Sequence, residues 1–194
     1  MTLALVALAF AVLSALAGIG ATGAVDAATL EAAQRYRSPA LDAAGSLLTL
    51  AGRMETCSAI AALLALAGYR RAGIRGLVPL LLFAGAAIEV ALKIVLQHPG
   101  PPDSLHRDLG LLAVPGLEFG YSYPSGHELR ATFLALFGAP AGAWRVLAWL
   151  FVAAMGVSRV YLAEHWLSDV VGGLLLGIAL VLVARYSRAW RRAR

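Results

Sequence analysis

Three short stretches of this 194-residue chain carry side chains suited to handling an anion. Lys93 closes one apolar run, PSGHELR (124–130) opens another, and SRVYLAEHWLSD (158–169) lies between two more. If the ligand is a phosphate, each piece has a use. Ser125 can cap a helix start, so that free backbone N–H groups and the positive end of the helix dipole face the anion, and Gly126 lets the ligand come close to the backbone. Lys93 and Arg159 add charge-assisted hydrogen bonds, Arg159 with a two-pronged grip. The four-residue step from His165 to Asp169 would set both side chains on one face of a helix. There the carboxylate can hold Nδ1–H and leave Nε2 free as a nucleophile. His127, on another segment, could then protonate the leaving oxygen, and two histidines with divided duties imply a covalent phosphohistidine.

A metal centre is the competing chemistry, since histidines and carboxylates are good ligands. Lysine and arginine among them would repel a cation, and the sequence has neither an HExxH helix nor a cysteine pair, so no metal and no cofactor is expected. A Gly-rich nucleotide loop is absent too.

These polar stretches sit in a chain that is 60% hydrophobic and 14% charged, with mean hydropathy +0.77. Globular domains average about 45–50% apolar and about 25% charged. A soluble fold could not hide so much apolar surface, so the expected solvent is the lipid bilayer. The net charge of +5 does not imply a nucleic acid partner, because the arginines bracket apolar segments instead of forming one basic face. Cys57, the single cysteine, cannot form an internal disulfide and reads as an inert buried thiol.

Hydropathy predicts an all-α, polytopic membrane protein of one domain, 1–194, with six transmembrane helices at about 1–25, 45–69, 76–96, 125–143, 144–161 and 166–186. Residues 1–25 are read as a retained helix and not a signal peptide, because the segment lacks a basic start and its apolar core is too long. Residues 26–42 read as an amphipathic or interfacial connection broken at Pro39, and 97–124 as a long, functional loop. Gly173 and Gly177 would let the last helix pack closely on a neighbour. With six spans, one side owns both termini and holds Arg70, Arg71, Arg75, Arg145, Arg185, Arg188, Arg191, Arg192 and Arg194 with no acidic residue among them. By the positive-inside rule that side is cytoplasmic, and the polar stretches face outward.

PSGH at 124–127 and the SR, five residues, H, three residues, D pattern at 158–169 resemble the second and third signature motifs of the type 2 phosphatidic acid phosphatase (PAP2) family. That family's first motif is lysine, six residues, then Arg-Pro; Lys93 and Pro101 match it, but Gly100 stands where the arginine should be. The resemblance implies a PAP2-like six-helix core and metal-independent hydrolysis of a phosphate or diphosphate ester of a membrane lipid, undecaprenyl diphosphate among the candidates. It implies a site facing outward from a bacterial cell membrane. By position, His165 would be the nucleophile, Asp169 its orienting partner and His127 the acid, with Lys93, Ser125, Gly126 and Arg159 holding the phosphoryl group. Arg130, one helical turn past His127, is the expected substitute for the missing arginine, ahead of Arg107 and His98; its bland reading is an ion pair with Glu128 or another acid. A relative that binds phosphorylated lipid without turning it over is the alternative reading.

Overall fold

The computed structural model describes residues 2–111 and 120–192. Expectations that fall on 112–119 of the long connection and on Arg194 lie outside the described residues. Among the described residues the chain forms α-helices and short 3-10 turns, with one isolated antiparallel bridge between Pro99 and Tyr121.

Helix α1 (Leu3–Gly18) is apolar apart from Ser14, and its Thr2 cap accepts a hydrogen bond from the Leu5 N–H. The chain bends by 91° at the following glycine turn into α2 (Gly23–Gln34), so the first helix stops well before the expected residue 25. The expected break at Pro39 falls between α2 and α3 (Pro39–Gly52), where the proline opens the new helix directly after the Ser38 cap and its missing N–H has no partner to lose. The expected span 45–69 is split at Arg53, whose extended backbone separates α3 from α4 (Met54–Ala72). The break frees the Gly52 carbonyl, which accepts a hydrogen bond from Nε of Arg130 at 3.0 Å. A 3-10 stretch (Gly73–Leu80) then packs so closely on α4 that a Cβ on Gly76 would collide with the backbone of Gly68. It leads into α5 (Leu81–Leu96).

Helix α6 (Gly126–Gly138) corrects the expected fourth span. Its 13 residues rise only about 20 Å, well short of a hydrocarbon core of about 30 Å. It is wrapped by neighbours, with Leu129 and Phe133 fully buried, so its apolar character serves protein packing and not lipid contact. Helices α7 (Ala143–Tyr161) and α8 (Leu167–Arg192) pack on it. Gly173 and Gly177 make the α6–α8 approach possible: a Cβ on Gly173 would strike the Ser125 carbonyl, and one on Gly177 would lie 2.7 Å from Cβ of Thr132.

Among the described residues three helical stretches, Met54–Leu96, Ala143–Tyr161 and Leu167–Tyr186, are long and apolar enough to cross a membrane, and the bent pair α1–α2 makes a fourth candidate. The outward face of α7 carries exposed Trp144, Leu147, Leu150 and Val157, while buried Arg159, Glu128 and Asp169 lie inside. Apolar outside and polar inside is the arrangement lipid demands.

Candidate active site

The expected residues gather at one end of the bundle, where α5 and α7 finish and α6 and α8 begin. Lys93 lies in the last turn of α5, its Nζ 3.6 Å from Oε1 of Glu89 one turn back. Ser125 caps α6, its Oγ accepting from the Glu128 N–H at 3.5 Å, and its own N–H donates to the Asp169 carbonyl at 2.9 Å, which ties the starts of α6 and α8 together. A Cβ on Gly126 would collide with the Glu89 carboxylate, so this glycine is what allows α5 to meet the mouth of α6.

His127 packs against Gly52, and its buried Nε2 has no hydrogen-bond partner among the described residues. The charges of Arg159, Arg130 and Lys93 and the ring of His165 all act on it. Arg159, 1% exposed, donates from Nη2 to Thr49 Oγ1 at 2.8 Å and lies 3.6 Å from Asp108. So much positive charge around an unpartnered imidazole nitrogen fits a site built for an anion.

His165 and Asp169 do meet, Nδ1 lying 3.4 Å from Oδ2, but not on the face of a helix. His165 sits in the turn before α8, where Ala163 adopts a left-handed φ of 57° and the His165 N–H donates to the Arg159 carbonyl at 3.2 Å. Asp169 is the third residue of α8, and its Oδ2 accepts the N–H of the cap residue Trp166 at 2.8 Å. That is one half of a capping box, so the start of the helix itself aims the carboxylate. Burial holds the His165 imidazole below its ordinary value despite the opposing pull of Asp169, which keeps it neutral, with a lone pair, near pH 7.

Arg130 donates from Nη1 to Glu89 at 3.0 Å and from Nε to the Gly52 carbonyl, so it reaches the site as a neighbouring charge with its hydrogen bonds committed. Arg107 is held by Asp42 through two contacts of 2.6 and 2.7 Å, and Tyr161 donates to the same carboxylate at 2.6 Å. His98 lies with Nδ1 3.2 Å from Oδ1 of Asp169, and that carboxylate raises its pKa above the usual histidine value. Each of the three candidates for the missing cation therefore faces an acid. Glu89, Thr49 and Asp108 escaped the sequence reading as site residues. The four-residue step from Glu89 to Lys93 was a usable signal, whereas Thr49 and Asp108 lie in segments with no distinguishing pattern. No three His, Cys, Asp or Glu side chains among the described residues converge in a way that could hold a metal ion.

The sequence profile of the PAP2 superfamily matches residues 76–193, the part of the chain that contains Lys93, the 124–130 stretch and the 158–169 stretch. This chain belongs to the PAP2 superfamily. Among curated proteins, it is 29% identical over 80 residues to phosphatidylglycerophosphatase B of Bacillus subtilis, covering 35% of this chain and 39% of the relative. It is 42% identical over 60 residues to undecaprenyl-diphosphatase of Sulfolobus acidocaldarius, covering 29% of each. The matched regions thus span well under half the length of these relatives. The fold is like that of the crystal structure of a transmembrane PAP2 type phosphatidylglycerolphosphate phosphatase from Bacillus subtilis, with TM-score 0.79 and 22% identity over 97% of this chain and 96% of that one. A second likeness is to Aquifex aeolicus LpxE, with TM-score 0.66 and 18% identity over 84% and 95% of the two chains. The likeness to a PAP2 fold thus extends over nearly the whole chain, including the N-terminal helices that the profile does not reach.

Within the PAP2 pattern, the departure at Gly100 is local. A Cβ there would meet Ser122 at 3.6 Å, an ordinary contact, so the glycine is not required by crowding.

Proposed function

We propose that the chain hydrolyses a phosphate or diphosphate monoester of a membrane lipid without a metal, through a phosphohistidine. The observation that carries this reading is the unequal setting of two histidines at the end of the bundle that holds Lys93 and Arg159. Nδ1 of His165 lies 3.4 Å from a carboxylate, whereas the buried Nε2 of His127 has no hydrogen-bond partner among the described residues and lies in the field of Arg159, Arg130 and Lys93.

In this scheme Nε2 of His165 attacks phosphorus as the P–O bond to the lipid portion breaks, and His127 gives its proton to the departing oxygen. Water then attacks the phosphohistidine, returning a proton to His127; the P–N bond breaks and inorganic phosphate leaves. Asp169 steadies the positive His165 ring. Lys93, Arg159, Ser125 and the N–H groups at Gly126 and His127 hold the phosphoryl oxygens, and Arg130 contributes as a nearby charge. The polyprenyl diphosphate is the first substrate to test, because the 42% identical stretch belongs to a protein named undecaprenyl-diphosphatase.

The setting we propose is a cell membrane, bacterial by the family resemblance, with the site on the outer face and both termini inside. Supporting this, Arg145 at the start of α7 and Arg185 late in α8 lie at the opposite ends of those helices from Arg159 and His165. The 14-residue step from Arg145 to Arg159 is about 21 Å of helix rise.

The test is released phosphate from purified protein given undecaprenyl diphosphate, phosphatidylglycerol phosphate, phosphatidic acid or lipid A phosphate. At least one should turn over in EDTA and be inhibited by vanadate, and His165→Ala should abolish the phosphoenzyme. Loss of activity on chelation, restored by a divalent metal, would refute the scheme. Lipid binding without turnover would favour a binding protein.

A further inference from the structure

Asp169 is fully buried, and a buried carboxylate needs donors on both oxygens. Oδ2 accepts the Trp166 N–H at 2.8 Å, and Nδ1 of His165 lies 3.4 Å from it. Oδ1 has no geometrically formed hydrogen bond among the described residues; Nδ1 of His98 stands 3.2 Å from it, and the Ser122 side chain also acts on the carboxylate. Several elements converge to hold that ring. Gln97 ends α5 in a left-handed conformation (φ 49°), which turns the chain back toward the first turn of α8. The His98 carbonyl accepts from the Ser122 N–H at 2.9 Å, and the next carbonyl, of Pro99, accepts from the Trp166 indole at 2.8 Å. The edge of the ring meets Tyr123, whose hydroxyl is 2.8 Å from Ser14 of α1, and the charge of Asp26 in α2 also acts on it.

We propose that His98 is a positioning residue for the phosphatase reaction: its Nδ1–H holds Oδ1 of Asp169, leaving Oδ2 in fixed orientation for the His165 ring. One carboxylate thus steadies two imidazoles with different duties. His98 acts through Asp169 and touches no reacting atom. It occupies a position that the first PAP2 motif leaves open, so motif reading passes over it. The inference rests on the phosphatase reading above.

Asparagine and glutamine separate this role from simple packing. The amide nitrogen of asparagine falls where imidazole Nδ1 sits, whereas glutamine carries its amide one carbon further. Measured on the best lipid of the panel, His98→Asn should keep kcat within about threefold of wild type, while His98→Gln and His98→Ala should lose about 30-fold in kcat with little change in KM. In an Asp169→Asn background, His98→Ala should cost nothing further, because the partner through which it acts is already disabled. Thermal unfolding in detergent identifies variants that fail to fold; if alanine does, the asparagine and glutamine pair decides. His98→Asn falling as low as His98→Gln, a rise in KM in place of a fall in kcat, or a full additional loss in the Asp169→Asn background would each overturn the proposal. A wild-type chain inactive on every lipid would instead sink the phosphatase reading. The contact would then be judged by the His98 Nδ1–H proton resonance, which should be present in wild type and lost in Asp169→Asn; its persistence in that variant would overturn the contact.

Discussion

Glu89 stands between two cations, Arg130 at 3.0 Å and Lys93 at 3.6 Å, with all three side chains nearly excluded from solvent. Removing one partner of such a buried pair costs about 3–5 kcal/mol in general, because the remaining charge is left uncompensated. Here Lys93 stays beside Glu89, so Arg130→Ala should fall at or below the lower end, near about 3 kcal/mol. Glu89→Gln in the same chain should restore part of the loss, with a coupling of at least about 1 kcal/mol in a double-mutant cycle read by unfolding in detergent. Additive losses would mean that the three do not form one unit. Arg130→Ala should also slow turnover, since a cation near the proposed phosphoryl site would be lost.

Helix α8 carries the site because its first turn is aimed and its middle is thin. Asp169 is oriented by the helix cap, Asp26 accepts both the N–H and the hydroxyl of Ser168 at 2.8 Å, and glycines at 173 and 177 seat the helix on α6. In an exposed helix a glycine-to-alanine change is favourable by about 1 kcal/mol. At Gly173 the sign reverses, because the new methyl would meet the Ser125 carbonyl and Cβ of Glu128. Gly173→Ala should therefore lower the unfolding temperature and also reduce kcat by displacing the Ser125 cap and His127. Unchanged kcat and stability would show that α6 and α8 can move apart without disturbing the site.

Taken whole, the molecule carries Arg159 and Asp169 at one end of α7 and α8, and Arg145 and Arg185 at the other. This separation sets the expected orientation in a membrane. With Cys57 replaced by serine, a cysteine at exposed Ser104 should react with an impermeant reagent in intact cells, and one at exposed Trp144 only after permeabilisation. The reverse pattern would invert the topology and put the site on the cytoplasmic side.

The amino-acid order by itself determined the apolar character, the helical class and the candidates for handling an anion, because composition, helix caps and motif spacing are local properties. It also paired His165 with Asp169, although the contact arises from a turn and a capping carboxylate and not from one helical face. Tertiary structure alone decided where each remaining charge goes. Arg130 finds Glu89 41 residues away and Gly52 78 away, Arg107 finds Asp42 across 65, and His98 turns to Asp169. Only packing likewise revealed that α6 is a short, enclosed helix and that the expected second span breaks at Arg53. Hydropathy reports that a segment avoids water. It does not distinguish burial in lipid from burial in protein, and it carries no information about which distant acid a buried cation will meet.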